Sequence, residues 1–325
     1  MSRPNILSTH PLFPAAHAIL DGHCAVEYWT RPERPPRQEF LRRVAEKDGL
    51  VCLLTEKIDA EMLAAAPRLK IAANVAVGYD NISVADCTAR RVLVTNTPGV
   101  LDDTTADFAW TLLMAIARRL LEGDSLARSG TWPGWNLDEL CGGDVSGKTL
   151  GIAGFGRIGR AVARRSLGFR MKVIYTDAVR APEEVERELG ARYCDFDTLL
   201  AESDFISLHV PLLPETRHLM STERLKKMKR TAYLINTSRG PVVDAAALAE
   251  ALANGTIAGA ALDVHEREPQ IHPGLVGLKN VILTPHIASA SIETRTKMAC
   301  MAAENIVAFF SGKRPPNPVN PEVLG

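Results

Sequence analysis

Thr149-Leu150-Gly151-Ile152-Ala153-Gly154-Phe155-Gly156-Arg157-Ile158-Gly159 is the stretch that decides how the rest of this chain is read. Its first five residues form an apolar run, its last six a G-x-G-x-x-G turn, and Arg160-Ala161-Val162-Ala163-Arg164-Arg165 then reads as the opening of a helix. In a strand–turn–helix setting the first glycine permits a tight turn and the second lets the backbone approach a pyrophosphate. The third lets helix and strand pack closely, with the helix N-terminal amides, including those of Arg157 and Ile158, facing the anion. The next β-prone segment, Met171-Lys172-Val173-Ile174-Tyr175-Thr176, ends in Asp177, eighteen positions after Gly159. An acid at about that distance of ~20 residues is placed to hold the adenosine ribose hydroxyls of NAD. Asp is also an ordinary turn residue, so the spacing, not the residue type, carries the reading.

The chain has 325 residues, 46% of them hydrophobic, which is enough for two domains with substantial cores. Thirty-eight basic and 38 acidic residues cancel, giving no electrostatic reason to expect nucleic acid or an anionic membrane as partner. No apolar run approaches the roughly 20 residues that span a bilayer. The start, Met1-Ser2-Arg3-Pro4-Asn5, lacks a signal-peptide pattern. Six cysteines are scattered, none in C-x-x-C and most in apolar surroundings, so buried reduced thiols are the default reading. A cytoplasmic protein without a bound metal is expected.

Outward from the glycine turn, short apolar strands alternate with helical stretches on both sides. Before it, strands are expected at 5–7, 25–29, 50–54, 70–75 and 91–95, with helices at 38–47 and 61–66. Beyond it, strands are expected at 204–210, 232–236, 258–264 and 281–284, with helices at 182–189, 197–202, 222–228 and 245–254. Such alternation of nearly continuous apolar strands and helices indicates parallel sheets covered on both faces. The proline-broken basic segment 31–37 reads as a surface loop. A long apolar helix over 104–121 is a candidate domain connector, and 288–310 returns as an amphipathic helix. Trp132 and Trp135, three apart in a Gly- and Pro-containing loop, suit an interface, a pocket wall or a local core. Val77-Gly78-Tyr79-Asp80-Asn81 closes the fourth strand with turn chemistry, a place where free amides can hold a carboxylate as well as a simple β-to-α turn.

Ligands of open α/β sheets sit beyond the carboxyl ends of the strands. Three strands of the second unit carry notable groups there: Asn236-Thr237-Ser238-Arg239-Gly240, Leu262-Asp263 running on to Glu268-Pro269, and Thr284-Pro285-His286. Arg239 offers a planar fork for a carboxylate and a positive field for a carbonyl oxygen gaining charge. His286 can exchange a proton with that oxygen. Glu268, paired with the imidazole, would orient it and favour its protonated form.

Together these motifs resemble the D-isomer-specific 2-hydroxyacid dehydrogenases, and within them the glyoxylate/hydroxypyruvate reductase branch, over essentially the whole chain. The resemblance implies a Rossmann-type cofactor domain (101–286) inserted in a flavodoxin-like substrate domain (1–100 and 287–325). Both are doubly wound parallel sheets, and the two close over substrate. It implies that the amides of Val77 and Gly78 hold the substrate carboxylate and that Arg239 bridges carboxylate and keto oxygen. Glu268 and His286 form the proton-transfer pair in the reduction of a small 2-oxo acid to the D-2-hydroxy acid. The cofactor is implied to contact Gly154, Gly156, Arg157, Ile158, Gly159, Asp177, Thr105, His209, Thr237 and Asp263. Trp132 and Trp135 resemble the tryptophans of an arm through which the cofactor domains of a homodimer associate, with Trp135 walling the substrate site.

Departures from the branch bear on substrate and cofactor. Asn136-Leu137-Asp138 replaces the usual apolar, proline-containing arm, which leaves the substrate preference open. Asp177 would repel a ribose 2′-phosphate and argues for NAD, while Arg180 leaves NADP use open. Two relatives in activity, a 2-ketogluconate reductase and a phosphoglycerate dehydrogenase, are alternatives; the latter would favour a basic residue near Asn74, which this chain lacks. A reading of another class is an NAD-sensing binding protein like the corepressors that share the fold.

Overall fold

The structure, a computed structural model, describes residues 3–31 and 33–325. Met1 and Ser2 of the chain start, and Pro32 of the basic loop, lie outside the described residues. The chain divides into two compact units, one comprising residues up to Leu101 together with Ala290–Gly325, the other Asp102–Ser289.

The first unit runs β1 (Asn5–Ser8), α1 (Pro14–His23), β2 (Ala25–Tyr28), α2 (Arg37–Val44), β3 (Gly49–Cys52), α3 (Ala60–Ala65), β4 (Ile71–Asn74), α4 (Val84–Ala89) and β5 (Leu93–Thr95). Its strands form one parallel sheet in the order β2-β1-β3-β4-β5, the flavodoxin-like order. Every residue of β3 and β4 is buried, because helices cover both faces; this is why these strands read as unbroken apolar runs. One face packs Ile6, Leu20, Ile71 and Leu93 against the returning helix Ile292–Phe310 through Ala302, Ala303 and Ile306. On the other face Leu50, Met62, Leu63 and Val94 form the core with Phe40 and Val44 of α2.

Edge strand β5 is closed by a side chain. The buried Asn320 accepts from the Val94 amide at 2.7 Å and donates to the Val92 carbonyl at 3.0 Å and to the Thr88 hydroxyl at 2.9 Å. The Val319 amide adds a bond to the Val94 carbonyl at 2.8 Å. The far C-terminal segment thereby supplies hydrogen bonds that a sixth strand would otherwise make.

The second unit runs α5 (Asp102–Ala117), α6 (Leu120–Ser129), β6 (Thr149–Ala153), α7 (Arg157–Ser166), β7 (Lys172–Thr176), α8 (Glu183–Leu189), β8 (Ala191–Tyr193), α9 (Phe196–Glu202), β9 (Phe205–Leu208), α10 (Thr222–Leu225), β10 (Tyr233–Asn236), α11 (Ala245–Ala253), β11 (Gly259–Leu262), α12 (Pro273–Val276) and β12 (Val281–Leu283). Its sheet, ordered β12-β11-β10-β9-β6-β7-β8, is parallel throughout and reverses direction of winding at β6, the strand that feeds the glycine turn. That order is the dinucleotide-binding one with an added strand, and its reversal point is where such sheets take their ligand. Trp110 anchors α5 to α7, its indole N–H donating to the Val162 carbonyl at 3.0 Å while its ring stacks on Phe169.

Several expectations need correction. The helix read over 104–121 ends at Ala117, since Arg119 takes left-handed φ of 52° and α6 starts afresh. The stretch 222–228 is helical only over Thr222–Leu225. Short β8 and helices α1 and α4 carry too little apolar periodicity to stand out in the sequence. Asn320→Ala would leave the buried Val94 amide and Val92 carbonyl without partners, at a cost of about 2–4 kcal/mol. Urea denaturation measures it, and a loss below about 0.5 kcal/mol would show that water serves this edge as well as Asn320 does.

Candidate active site

At the end of β6 each glycine of the turn has a separate reason. Gly154 has φ of +92°, and a Cβ there would lie 2.7 Å from the His209 carbonyl. A Cβ on Gly159 would lie 2.1 Å from the Gly154 carbonyl oxygen, so α7 crosses too close to the turn for any side chain. A Cβ on Gly156 would meet nothing within 4 Å; this residue caps α7 and lies exposed, as does Arg157. The first-turn amides of α7, those of Arg157 and Ile158 among them, therefore open onto an uncrowded surface. Asp177, one residue past β7, accepts a hydrogen bond from the Phe155 amide, tying the acid to the turn.

Other groups expected at the cofactor line up along the same strand ends. Thr237, just past β10, is buried, and its hydroxyl has no partner among the described residues. An orphan hydroxyl at the carboxyl edge fits a bound ligand that would satisfy it. His209, just past β9, shares a 2.8 Å hydrogen bond with the Ser207 hydroxyl, and burial pushes its imidazole down to about 4. It is thus uncharged at neutral pH and adds no positive charge beside the turn. Thr105 is buried in the first turns of α5. The open second glycine, the helix N-terminus and the orphan hydroxyl all fit a dinucleotide phosphate and ribose.

Further along the same strand ends, at β10, β11 and β12, stand the groups with acid–base chemistry. Asp263, directly after β11, is fully buried. Its Oδ1 accepts from the Thr284 hydroxyl at 2.6 Å and the Ile287 amide at 2.8 Å, and its Oδ2 accepts from the Ala288 amide at 2.7 Å. Its own carbonyl accepts from the His286 amide at 2.8 Å. One residue thus binds four groups of the turn after β12, and within that turn His286 is held at φ of +57°, a left-handed conformation that histidine rarely adopts. The sequence placed Asp263 at the cofactor; the structure shows a carboxylate whose oxygens are both taken up in shaping this turn.

His286 Nδ1 lies 2.9 Å from Glu268 Oε2, and the other Glu268 oxygen accepts the His265 amide at 2.9 Å. The pair keeps about a quarter to a third of its side-chain surface open. Burial pushes the Glu268 carboxyl up, but the hydrogen bond and charge of His286, with the His265 amide, outweigh it and hold the carboxyl below its usual range. Glu268 is therefore an anion at neutral pH. Arg239 follows β10 and leads a 3-10 turn (Gly240–Val242). Its carbonyl is fixed by the Asn236 side-chain amide at 3.0 Å. A Cβ on Gly240 would lie 2.0 Å from the His265 carbonyl, so the arginine turn rests directly on the backbone that leads to Glu268. Arg239, Glu268 and His286 come from the ends of three adjacent strands, β10, β11 and β12.

In the first unit, Val77 and Gly78 follow β4. Their carbonyls accept from the side chains of Asn96 and Asn74, at 2.8 and 3.0 Å, and no protein acceptor takes either amide among the described residues. Trp132 and Trp135 are 55% and 82% exposed within the second unit, alongside exposed Leu120, Leu121 and Leu137. Thr284 was not singled out from the sequence; only the fold shows that its hydroxyl helps fix Asp263.

A parallel sheet with a dinucleotide turn at its winding reversal and a carboxylate-paired imidazole at its strand ends is the arrangement of a nucleotide-dependent oxidoreductase. Comparison with known proteins narrows the class. The profile described as D-isomer specific 2-hydroxyacid dehydrogenase, NAD binding domain, matches residues 110–288. The glyoxylate reductase of Thermococcus litoralis is 52% identical over 99% of this chain and 98% of its own. Among solved structures, the TT0316 protein of Thermus thermophilus superposes with a TM-score of 0.91 at 42% identity, over 97% of this chain and 99% of its own. The NADPH-dependent glyoxylate/hydroxypyruvate reductase of Sinorhizobium meliloti, solved with NADP and malonate, gives 0.85 at 33%, over 98% and 97%. This chain belongs to the D-isomer-specific 2-hydroxyacid dehydrogenase family and is an oxidoreductase.

The Asp263 clamp makes its own prediction. Asp263→Asn preserves size but turns an acceptor into a donor facing the Ile287 and Ala288 amides or the Thr284 hydroxyl. It should cost about 2–3 kcal/mol in denaturant unfolding and speed amide exchange at residues 286–288. Unchanged protection of those amides would show that the turn holds its shape without the carboxylate.

Proposed function

We propose that this protein reduces a small 2-oxo acid, glyoxylate or hydroxypyruvate, to the corresponding D-2-hydroxy acid with NADH. The observation that carries the reading is the His286–Glu268 pair, 2.9 Å apart at the edge of the dinucleotide-type sheet, with Arg239 on the neighbouring strand end. The glyoxylate reductases at about half identity support the substrate class, and the NADPH-dependent name of the Sinorhizobium enzyme keeps NADP use within it.

In this reading Gly154, Gly156, Gly159, the Arg157 and Ile158 amides, Asp177 and Thr237 hold the nucleotide, with Thr105 and His209 beside them. A nicotinamide bound there supplies the hydride. Arg239 binds the 2-oxo acid and draws charge onto the keto oxygen as it becomes an alkoxide. His286 enters protonated and gives its proton to that oxygen, leaving a hydroxyl and a neutral imidazole. Glu268 stays ionised, orients the ring through Nδ1 and stabilises its positive form. Asp263 holds the His286 turn in place and meets the nicotinamide carboxamide with its remaining lone pairs. The amides of Val77 and Gly78, unclaimed by a protein acceptor among the described residues, stand as the carboxylate anchor, and Trp135 as a pocket wall. The exposed apolar arm of the second unit supports a homodimer formed through that unit, and no helix among the described residues is long and apolar enough to cross a membrane. A cytoplasmic location belongs to the same reading.

The test is a panel of glyoxylate, hydroxypyruvate, 2-ketogluconate and 3-phosphohydroxypyruvate, assayed with NADH and with NADPH for wild type and His286→Ala. Turnover should be highest on glyoxylate or hydroxypyruvate with NADH and fall at least about a hundredfold in the variant, with NADH binding retained. Preference for the phosphorylated acid would replace the substrate assignment. Cofactor binding without turnover on any acid would replace the enzyme by a nucleotide sensor.

A further inference from the structure

Glu186 of α8 is a carboxylate with three hydrogen bonds and no part in the reaction. Arg180 grips it with a fork, Nε to Oε1 at 2.9 Å and Nη2 to Oε2 at 2.8 Å, and the Tyr175 hydroxyl donates to Oε1 at 2.6 Å. The Tyr175 oxygen accepts the Ala181 amide at 2.9 Å, and the Tyr175 ring stacks on Phe155 of the glycine turn with centroids 3.9 Å apart. The Glu186 side chain is 12% exposed and that of Arg180 58%. The anchored partner is therefore the carboxylate, and the arginine is the group being held. The Arg180 hydrogen bonds first, and the Tyr175 hydroxyl second, bring the Glu186 carboxyl down to about 2, so it is charged at any working pH.

Location gives this pair its meaning. Arg180 lies three residues past Asp177, the acid tied to the glycine turn. An arginine close behind that position is the residue type that accommodates a ribose 2′-phosphate, through the same fork that here faces Glu186. An exposed ion pair has little intrinsic strength, but a two-point fork on a carboxylate braced by tyrosine fixes geometry more firmly than a lone pair does. A 2′-phosphate would have to draw the guanidinium off an anion already seated in it.

We propose that Glu186 is a cofactor-specificity residue, which favours NAD over NADP by tethering the Arg180 guanidinium away from the ribose 2′ position. It acts alongside the charge of Asp177 and rests on the reading of the glycine turn as the dinucleotide site. In the chain with Glu186 replaced by a neutral residue, Arg180 turns to a 2′-phosphate and NADPH gains affinity while NADH does not.

Fluorescence titration of the full chain with NADH and with NADPH reads this without catalysis. Glu186→Gln keeps an acceptor for Tyr175 while removing the charge that holds Arg180. It should tighten NADPH about fivefold and leave NADH within about twofold of wild type. The gain should vanish when Glu186→Gln is made in an Arg180→Ala background. An unchanged NADPH-to-NADH ratio overturns the proposal, as does a parallel loss of both affinities, which would make Glu186 only a brace. A gain that survives without Arg180 also overturns it, because the carboxylate would then act by charge alone. Wild type that binds neither nucleotide would instead bring down the dinucleotide reading itself.

Discussion

The buried carboxylate of Asp263 is the constraint on which the acid–base edge of this protein depends. Three donors from the turn after β12 converge on its two oxygens, and the His286 amide binds its backbone carbonyl. A polar group with no solvent exposure is tolerated only when its hydrogen-bonding capacity is met in this way. The return is geometric. A histidine in left-handed conformation, which would relax in an isolated turn, is fixed where its Nδ1 meets Glu268. Breaking the clamp would leave buried polar groups without partners and release the strain together.

The nucleotide edge is braced by different means. Phe155 occupies the second position of the glycine turn, and its ring is buried against Tyr175 of β7 while its amide binds Asp177. Tyr175 then reaches Glu186 of α8, and Glu186 reaches Arg180. Aromatic stacking fixes the floor of the turn, and a chain of polar contacts runs from it to the residue that would face an additional phosphate. In the proposed reading, cofactor recognition and cofactor discrimination are parts of one packed network in the second unit.

Much of this was legible in the sequence, for physical reasons. Gly154, Gly156 and Gly159 are visible because backbone approach excludes every other residue from two of these places, so the spacing survives in the primary structure. Arg239, Glu268 and His286 are visible because strand ends in a parallel sheet converge, and apolar runs mark where strands end. The family resemblance supplied the inserted-domain topology, which periodicity alone does not contain. Asp263 was located, but its clamp was not legible: a residue just past a strand end suits a ligand contact and a clamp equally, and only the fold brings Thr284, Ile287 and Ala288 to its oxygens. Asn320 and Glu186 carried no local signal. Each acts through partners set by the fold, Asn320 on a strand more than 220 residues earlier and Glu186 on an arginine that the sequence left unpaired. Strand β8 escaped because its exposed Arg192 and Tyr193 break the apolar pattern that marked its neighbours.

The central claim is that His286 carries the proton, with Glu268 ionised beside it. Because the His286 contact holds the Glu268 carboxyl below its usual range, Glu268 is already ionised at neutral and alkaline pH, and the proton that the reaction needs is the one carried by His286. The most direct measurement is kcat/KM against pH in both directions with one acid–alcohol pair. Reduction should fall and oxidation should rise as pH increases through a single shared ionisation, since one direction needs the imidazolium and the other the free base. Profiles that move the same way, or a reduction rate flat with pH, would contradict proton transfer by His286.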